Sequence, residues 1–144
     1  MDEKAAVRIY NDYTKQFKKK LGTRFMYSDR LEEVGQKYIP RFRGVFAKDN
    51  IDYRILQSGD TCLVNTQNSW EPGEHWVGVA CNAEDVIICY DSFGRPGRGL
   101  LDIKQPTADT DRDPEQSSYE VDCGPRSLGW CLLFSQDPAA AMKI

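Results

Sequence analysis

Apolar side chains recur at every fourth position near the N-terminus. The repeating positions are Ala5, Ile9, Tyr13, Phe17 and Leu21. This spacing places them on one face of an α-helix. Gly22 follows directly, and glycine is common just beyond the last turn of a helix. The pattern therefore predicts an amphipathic helix over residues 4–21.

A second, shorter helix is predicted from about Asp29 to Tyr38. Asp29 and Glu32 have the spacing of a capping box, and Pro40 closes the segment. Residues 41–60 show no single periodicity and contain several turn-forming glycines and aspartates. We make no helix or strand prediction for that stretch.

The middle of the chain is rich in β-branched and aromatic residues. We predict strands at 62–66, 75–81 and 86–91, and the four residues 82–85 between the last two suit a hairpin turn. Residues 93–99 interrupt the pattern with glycine and proline, and the acidic stretch 102–120 is predicted to be an irregular surface loop.

The last strong pattern is helical. Residues 123–136 carry Leu128, Cys131 and Leu132 close to one stripe, and Pro125 is tolerated in a first turn. Helices at both ends and strands between them predict an α+β fold. At 144 residues, with no internal repeat, we expect one domain over residues 1–144.

Composition narrows the function classes. The chain is 40% hydrophobic and 28% charged, with no apolar run approaching a bilayer span and no signal-like N-terminus. We therefore expect a protein that is neither secreted nor bound to a membrane. The net charge of −3 argues against nucleic acid as the main partner, although three consecutive lysines begin at Lys18.

Cys123 is the candidate nucleophile. It lies at the start of the predicted helix, where the helix dipole and unpaired N–H groups favour a thiolate, which is the attacking species. The same N–H groups could stabilise a developing oxyanion, and Gly124 would let a substrate backbone approach closely. The other four cysteines lie in apolar stretches, and we expect them to be part of the core.

His75 is the only histidine, so a cysteine–histidine mechanism has one possible base. A third residue should orient the imidazole ring, and Asp91 is the best candidate. It ends the strand that pairs with the His75 strand across the turn at 82–85. Because a hairpin places the start of one strand beside the end of the next, we expect His75 and Asp91 to be neighbours.

Two other interpretations concern Gln116 and a possible zinc site. Gln116 lies seven residues before Cys123, and a glutamine amide can serve as an additional oxyanion donor. A zinc site built from His75, Cys81 and Cys89 is disfavoured because the chain has no Cys-x-x-Cys pair. We predict no metal site and no cofactor.

The segments CLVNTQNSWEPGEHWVGVAC, ICYDSFGR and DCGPRSLGWCLLF resemble the adenovirus-type cysteine proteases. That family shares a papain-like clan with the proteases of ubiquitin-like proteins. The matching positions are His75-Trp76, Asp91 followed by Phe93-Gly94, Gln116, and Cys123-Gly124. The resemblance spans roughly residues 20–136, and its motifs are specific as a set.

The resemblance implies a papain-like fold, with a small central sheet flanked by helices and the nucleophile at a helix N-terminus. It also implies cleavage of virion precursor proteins by a monomer inside the virion or the host cell, with the protease encoded by a virus, virophage or self-synthesising transposon. By the same resemblance, Cys123, His75, Asp91 and Gln116 are catalytic, whereas Trp76 and Gly124 contact the substrate.

The chain departs from the adenoviral pattern in two respects. Those enzymes have glutamate where this chain has Asp91, whereas the cellular relatives have aspartate. They also bind a peptide cofactor through a cysteine in the loop before the nucleophile. No cysteine lies between Cys89 and Cys123, so we expect no disulfide-linked cofactor. The acidic 102–120 stretch also weakens the case for activation by DNA.

Three alternatives stay open. The first is a protease of the same clan that removes ubiquitin-like tags from host proteins. The second is a chymotrypsin-like viral cysteine protease, which would need two β-barrels and therefore more strands than the sequence predicts. The third is a catalytically inactive binding module with the same fold.

Overall fold

A computed structural model of the chain describes residues 1–24, 27–71, 75–111, 114–115 and 122–144. The helices are α1 (Glu3–Leu21), α2 (Ser28–Tyr38), α3 (Gly97–Leu101), α4 (Cys123–Gln136) and α5 (Pro138–Ala141). The strands are β1 (Phe42–Ala47), β2 (Thr61–Asn65), β3 (Trp76–Cys81), β4 (Ile87–Tyr90) and β5 (Thr107–Asp109). Short 3₁₀ turns cover Gly22–Arg24 and Tyr53–Ile55.

The five strands form one mixed sheet in the order β1-β2-β3-β4-β5. The three central strands are antiparallel to their neighbours in that group, whereas β1 runs parallel to β2 and β5 runs parallel to β4. The fold is therefore α+β with a five-stranded mixed sheet flanked by helices. The predicted β3–β4 hairpin is confirmed, with Gly78 opposite Tyr90 and Cys81 opposite Ile87.

Helix α1 agrees with its prediction to within one residue. Asp2 caps its first turn, accepting a hydrogen bond from the Ala5 N–H at 2.8 Å. Gly22 ends it at φ +64°, a conformation that glycine adopts readily, and its N–H bonds to the Lys18 carbonyl. Helix α4 also begins and ends at the residues that the sequence pattern predicts.

The capping box predicted for α2 is wrong. The helix begins at Ser28, so Asp29 already lies inside the first turn, and the preceding residue Tyr27 makes no side-chain cap. The Asp29 carboxylate pairs instead with Arg24 at 2.6 Å. Glu32 turns toward β1 and accepts a hydrogen bond from the Val45 N–H at 3.4 Å.

Two strands and two short helices lie where the sequence predicts none. Strand β1 falls in the mixed region 41–60, and its pairing with β2 is irregular between Phe42 and Val45. Gly44 lies within this irregularity at φ +126°. Strand β5 spans three residues of the stretch expected to be loop. Both are edge strands in parallel pairings, which depend on distant partners and leave little local pattern.

The main hydrophobic core lies between one face of the sheet and helices α1 and α4, with Tyr10, Leu63, Leu128 and Trp130 fully buried. A smaller cluster covers the other face, around Val64, Val77 and Val79. Among the described helices, none has both the length and the apolar character needed to cross a bilayer.

Candidate active site

The open end of the β3–β4 hairpin brings His75 against Asp91. His75 immediately precedes β3 and Asp91 immediately follows β4. The Nε2 atom of His75 forms a hydrogen bond with Oδ1 of Asp91. Both residues are buried, with 8% and 4% of their surface exposed. The contact expected from the hairpin is confirmed.

Arg95 holds the same carboxylate from the other side. Its backbone N–H donates to Oδ2 of Asp91 at 2.9 Å, and its guanidinium donates to Oδ2 at 2.8 Å and to Oδ1 at 3.3 Å. Burial alone would raise the pKa of Asp91. The hydrogen bonds from His75 and Arg95 outweigh burial and lower that pKa to about 2. Asp91 is therefore an anion at neutral pH.

Phe93 fixes the face of the imidazole. Its ring stacks on that of His75, with centroids 5.0 Å apart and planes 30° apart. The Arg95 guanidinium lies 5.1 Å from the centre of the Phe93 ring. Because Nε2 is engaged by Asp91, Nδ1 is the imidazole nitrogen that remains to meet a thiol.

Helix α4 presents Cys123 to the first residue of β3. The Trp76 backbone N–H points at the Cys123 sulfur, with 3.4 Å between nitrogen and sulfur. This nitrogen belongs to the peptide bond that joins His75 to Trp76. The fold therefore brings the only histidine in the chain and the candidate nucleophile, 48 positions apart in sequence, to one place.

One helical turn later, Ser127 fastens α4 to the same residue. Its hydroxyl donates to the Trp76 carbonyl at 3.1 Å, and it is fully buried. Further along, Trp130 packs so closely on Gly78 that a Cβ at position 78 would lie 2.9 Å from the indole ring. Small or polar side chains at these points let the helix approach β3 closely, so the position of Cys123 is set by the packing of the whole helix.

The protonation state of Cys123 differs from the sequence-based expectation. Burial raises the pKa of its thiol to about 11, although the N–H groups of Trp76 and Gly124 act to lower it. The expectation of a thiolate considered the helix N-terminus alone. In the folded chain, desolvation of the sulfur outweighs the helix N-terminus, so the thiol is neutral until a base removes its proton.

A charged cluster lies behind the nucleophile. Asp122 accepts hydrogen bonds from Lys18 and Arg126, each at 3.2 Å. The Arg126 guanidinium also reaches the hydroxyl of Tyr10, which in turn bonds to the Tyr90 hydroxyl. Burial raises the pKa of Tyr10 to about 12, so this phenol stays neutral. The two cations offset an acidic side chain that would otherwise disfavour a thiolate at Cys123.

Gln116, the predicted oxyanion donor, lies outside the described residues. Its neighbour Glu115 is described, and the Glu115 N–H donates to the carbonyl of Ser92 at 2.9 Å. The Tyr90 hydroxyl donates to the Glu115 carboxylate at 3.2 Å. Glu115, the residue before Gln116, therefore lies against the end of β4, next to Asp91.

The two predicted substrate-binding residues lie beside the sulfur. Gly124 follows Cys123 in the first turn of α4 and is buried. Trp76 is 6% exposed and lines a cavity of about 450 Å³. Among the described residues, no three His, Cys, Asp or Glu side chains cluster in a way that could hold a metal ion.

No protein-family model matches the chain, and no curated protein is significantly similar to it. The case for this site therefore depends on its geometry and on the sequence motifs that converge there.

Three side chains at this site were assigned no role from the sequence, although Phe93 matches the family motif. Phe93 and Arg95 follow Asp91 closely in the segment ICYDSFGR, so their proximity in sequence was a usable signal. Ser127 lies four residues after Cys123, which puts both on one face of a helix. Their actual partners, an imidazole face, a carboxylate and a strand carbonyl, depend on the fold.

Proposed function

We propose that this chain is a cysteine endopeptidase in which Cys123 is the nucleophile, His75 the general base and Asp91 the residue that orients the imidazole. The observation that carries the proposal is the contact of the Cys123 sulfur with the backbone N–H of Trp76, next to His75, whose Nε2 bonds to Asp91. A sulfur, an imidazole and a buried carboxylate in this arrangement suit acyl transfer.

The proposed reaction begins when Nδ1 of His75 takes the proton of the Cys123 thiol. The sulfur attacks the carbonyl carbon of the scissile peptide bond, and the negative charge passes to the carbonyl oxygen. When the C–N bond breaks, the leaving amine takes the proton from His75 and a thioester remains on Cys123. Water, deprotonated by His75, then attacks the thioester carbonyl. The C–S bond breaks, the acid product leaves, and the proton on His75 returns to the Cys123 sulfur.

A neutral thiol in the resting protein fits this sequence of steps. The raised pKa of Cys123 means that proton transfer to His75 must accompany attack. The anionic Asp91 favours that transfer, because it stabilises the imidazolium that forms. The N–H groups at the start of α4 supply donors for the oxyanion, and Gln116 is proposed as a further one.

The resemblance to the adenovirus-type proteases supports a papain-like fold and virion precursor proteins as the substrates. Those proteins would be met inside the virion or the infected cell. The helix-borne nucleophile and the central sheet are compatible with that fold.

A second candidate is a protease that removes ubiquitin-like tags. The observation that favours it is the aspartate at position 91, since the cellular members of the clan use aspartate there. The catalytic residues would be the same, so only the substrate distinguishes the two functions.

The test is incubation of the chain with a peptide library and with ubiquitin-like proteins carrying a C-terminal amide, read by mass spectrometry. We expect internal cleavage of peptides, and Cys123→Ala should lower the rate about 10⁴-fold or more. Cys131→Ala is the matched control, because Cys131 is buried in the same helix two turns away. Full activity in Cys123→Ala would end the proposal, and processing of the ubiquitin-like proteins alone would select the second candidate.

A further inference from the structure

The cavity beside Trp76 lies where the ends of β1 and β2 meet the first turn of α2. Its volume of about 450 Å³ could hold a long side chain together with part of its backbone. Val45, Phe46 and Ala47 of β1 contribute an apolar wall. Since the Trp76 N–H contacts the Cys123 sulfur, the residue that borders the cavity also borders the candidate active site.

Two of the residues that line this cavity each have one buried side-chain atom with no hydrogen-bond partner. The two atoms are the amide nitrogen Nδ2 of Asn65 and the amide oxygen Oε1 of Gln67. Asn65 is 4% exposed, and its other amide atom, Oδ1, accepts a hydrogen bond from the Gln67 backbone N–H at 2.9 Å. That bond occupies Oδ1 and leaves the Asn65 NH₂ group without a partner.

Unpartnered polar atoms of this kind are rare in folded proteins because leaving them unpaired is unfavourable. Here one atom is a donor and the other an acceptor. A peptide group offers the complementary pair, a carbonyl for the Asn65 NH₂ and an N–H for the Gln67 oxygen. Asn65 ends β2 and Gln67 lies two residues beyond it, so an extended peptide passing that point could pair with both once their side chains turn toward the cavity.

The charged residues among the described lining of the cavity are all acidic. Three carboxylates line it, from Asp29, Glu32 and Glu71, and none of the described lining residues is a lysine or an arginine. Arg24 pairs with Asp29 at 2.6 Å and offsets one of these charges. Glu71 accepts hydrogen bonds from the backbone and side chain of Asn68.

Glu32 is the best placed of the three carboxylates. Its side chain is half-buried, and its carboxylate lies against Gly44, where a Cβ would come within 2.6 Å of Oε1. The Val45 N–H holds the same oxygen. A carboxylate that is fixed and partly removed from water attracts a cation more strongly than one on a freely exposed side chain.

We propose that this cavity selects a lysine or arginine side chain of the peptide substrate, with Glu32 as its anionic partner and the amides of Asn65 and Gln67 paired to the adjoining peptide group. The methylene stem of the basic side chain packs on the β1 wall. The proposal depends on the proposed protease function, since the cavity then selects a residue near the scissile bond. An extended chain advances about 3.3 Å per residue, so that residue lies a few positions from the cleavage point.

The first experiment measures binding to the Cys123→Ala protein. The probes are capped hexapeptides in which a single lysine, norleucine or glutamate is placed at each position in turn. We expect lysine at one position to bind about tenfold more tightly than norleucine, and glutamate to bind more weakly than either. Raising the salt concentration should reduce the advantage of lysine.

A matched pair of variants assigns the effect to the cavity. Glu32→Gln keeps an oxygen for the Val45 N–H and removes the charge, so the lysine advantage should fall to about threefold or less. Glu33→Gln removes the same charge from the next position of α2, where Glu33 is exposed and pairs with Arg30, and it should leave the advantage intact. Glu71→Gln provides a second cavity variant if Glu32→Gln does not fold.

Equal affinity for lysine and norleucine at every position would overturn the proposal, as would equal losses in Glu32→Gln and Glu33→Gln. Cleavage of the same peptides by the wild type separates the two proposals. Selective binding of lysine without cleavage would leave the cavity proposal standing and remove the protease function. Cleavage without any preference for a basic residue would leave the protease function standing and remove the cavity proposal.

Discussion

Trp76 has two sides, and the protein is organised differently on each. On the backbone side, polar groups bond to one another: the N–H meets Cys123, the carbonyl meets Ser127, and the preceding His75 meets Asp91. On the other side lies a cavity that Trp76 also lines, where Nδ2 of Asn65 and Oε1 of Gln67 have no hydrogen-bond partner among the described residues.

The difference indicates two kinds of site. A region whose polar groups are already paired has its geometry fixed before any substrate arrives, as a reaction centre requires. A region that keeps a donor and an acceptor unpaired gives up some stability in the free protein and recovers it when a ligand supplies the partners. Changes on the first side should therefore lower stability or catalysis, whereas changes on the second should mainly alter substrate choice.

The largest expected effect comes from His75→Ala. It removes the only imidazole, so the Cys123 thiol, with its raised pKa, loses its proton acceptor. We expect kcat/KM for a cleaved peptide to fall about 10³-fold or more. Steady-state kinetics measures this, with Cys131→Ala as the control for a buried truncation. A His75→Ala rate close to that of the wild type would show that the region around Cys123, His75 and Asp91 is not a reaction centre.

The next effect is on stability in acid. The folded pKa of Asp91, about 2, lies below the value of about 3.9 expected in the unfolded chain. The difference contributes on the order of 2 kcal/mol of stability above about pH 4, which is lost as the pH falls toward 2. Urea unfolding of the wild type and Asp91→Asn at pH 7, 5, 4 and 3 should show the gap between them narrowing in acid. A gap that does not change with pH would contradict the inferred hydrogen bonds.

Arg95→Ala should have a smaller effect. It removes two guanidinium hydrogen bonds from Asp91 and leaves the backbone N–H in place. We expect kcat to fall about tenfold because the imidazole is oriented less firmly, and the acid loss of stability to shift to higher pH. Arg95→Lys should restore part of the electrostatic stabilisation of the Asp91 anion, but a lysine ammonium cannot reproduce the two guanidinium hydrogen bonds. If Arg95→Ala changes stability at all pH values equally and leaves kcat unchanged, Arg95 has no positioning role.

The smallest expected effect compares single truncations on the two sides of Trp76. Ser127→Ala removes a buried hydrogen bond and should lower the free energy of unfolding by about 1 kcal/mol or more. Asn65→Ala loses the bond to the Gln67 N–H but also removes an unpartnered amide, so its net effect should be smaller than that of Ser127→Ala. Chemical denaturation measures both. The reverse order would indicate that the Asn65 amide is already satisfied in the free protein.

Much of the architecture was predictable from local pattern. Helices α1 and α4 lie where hydrophobic spacing places them, because that spacing reports which face of a helix is buried. The three central strands lie where β-branched and aromatic residues are concentrated, and α2 lies close to the segment that Asp29 and Pro40 were predicted to bound. The contact between His75 and Asp91 was also predictable, since a four-residue hairpin turn leaves little freedom in how its strand ends meet. The capping box of α2 was wrong because the helix begins at Ser28, two residues earlier than a cap at Asp29 requires.

The sequence alone determined the candidate residues: one histidine, an aspartate across a hairpin and a cysteine at the start of a helix. Only the tertiary structure decided that the cysteine lies on the His75–Trp76 backbone, that burial raises its pKa, and that Trp76 also lines a cavity with two unpaired amide atoms. The parallel pairings of β1 with β2 and of β5 with β4 were likewise decided only by the tertiary structure. These features arise from contacts between distant segments and from the exclusion of water, and neither leaves a periodic trace in the order of residues.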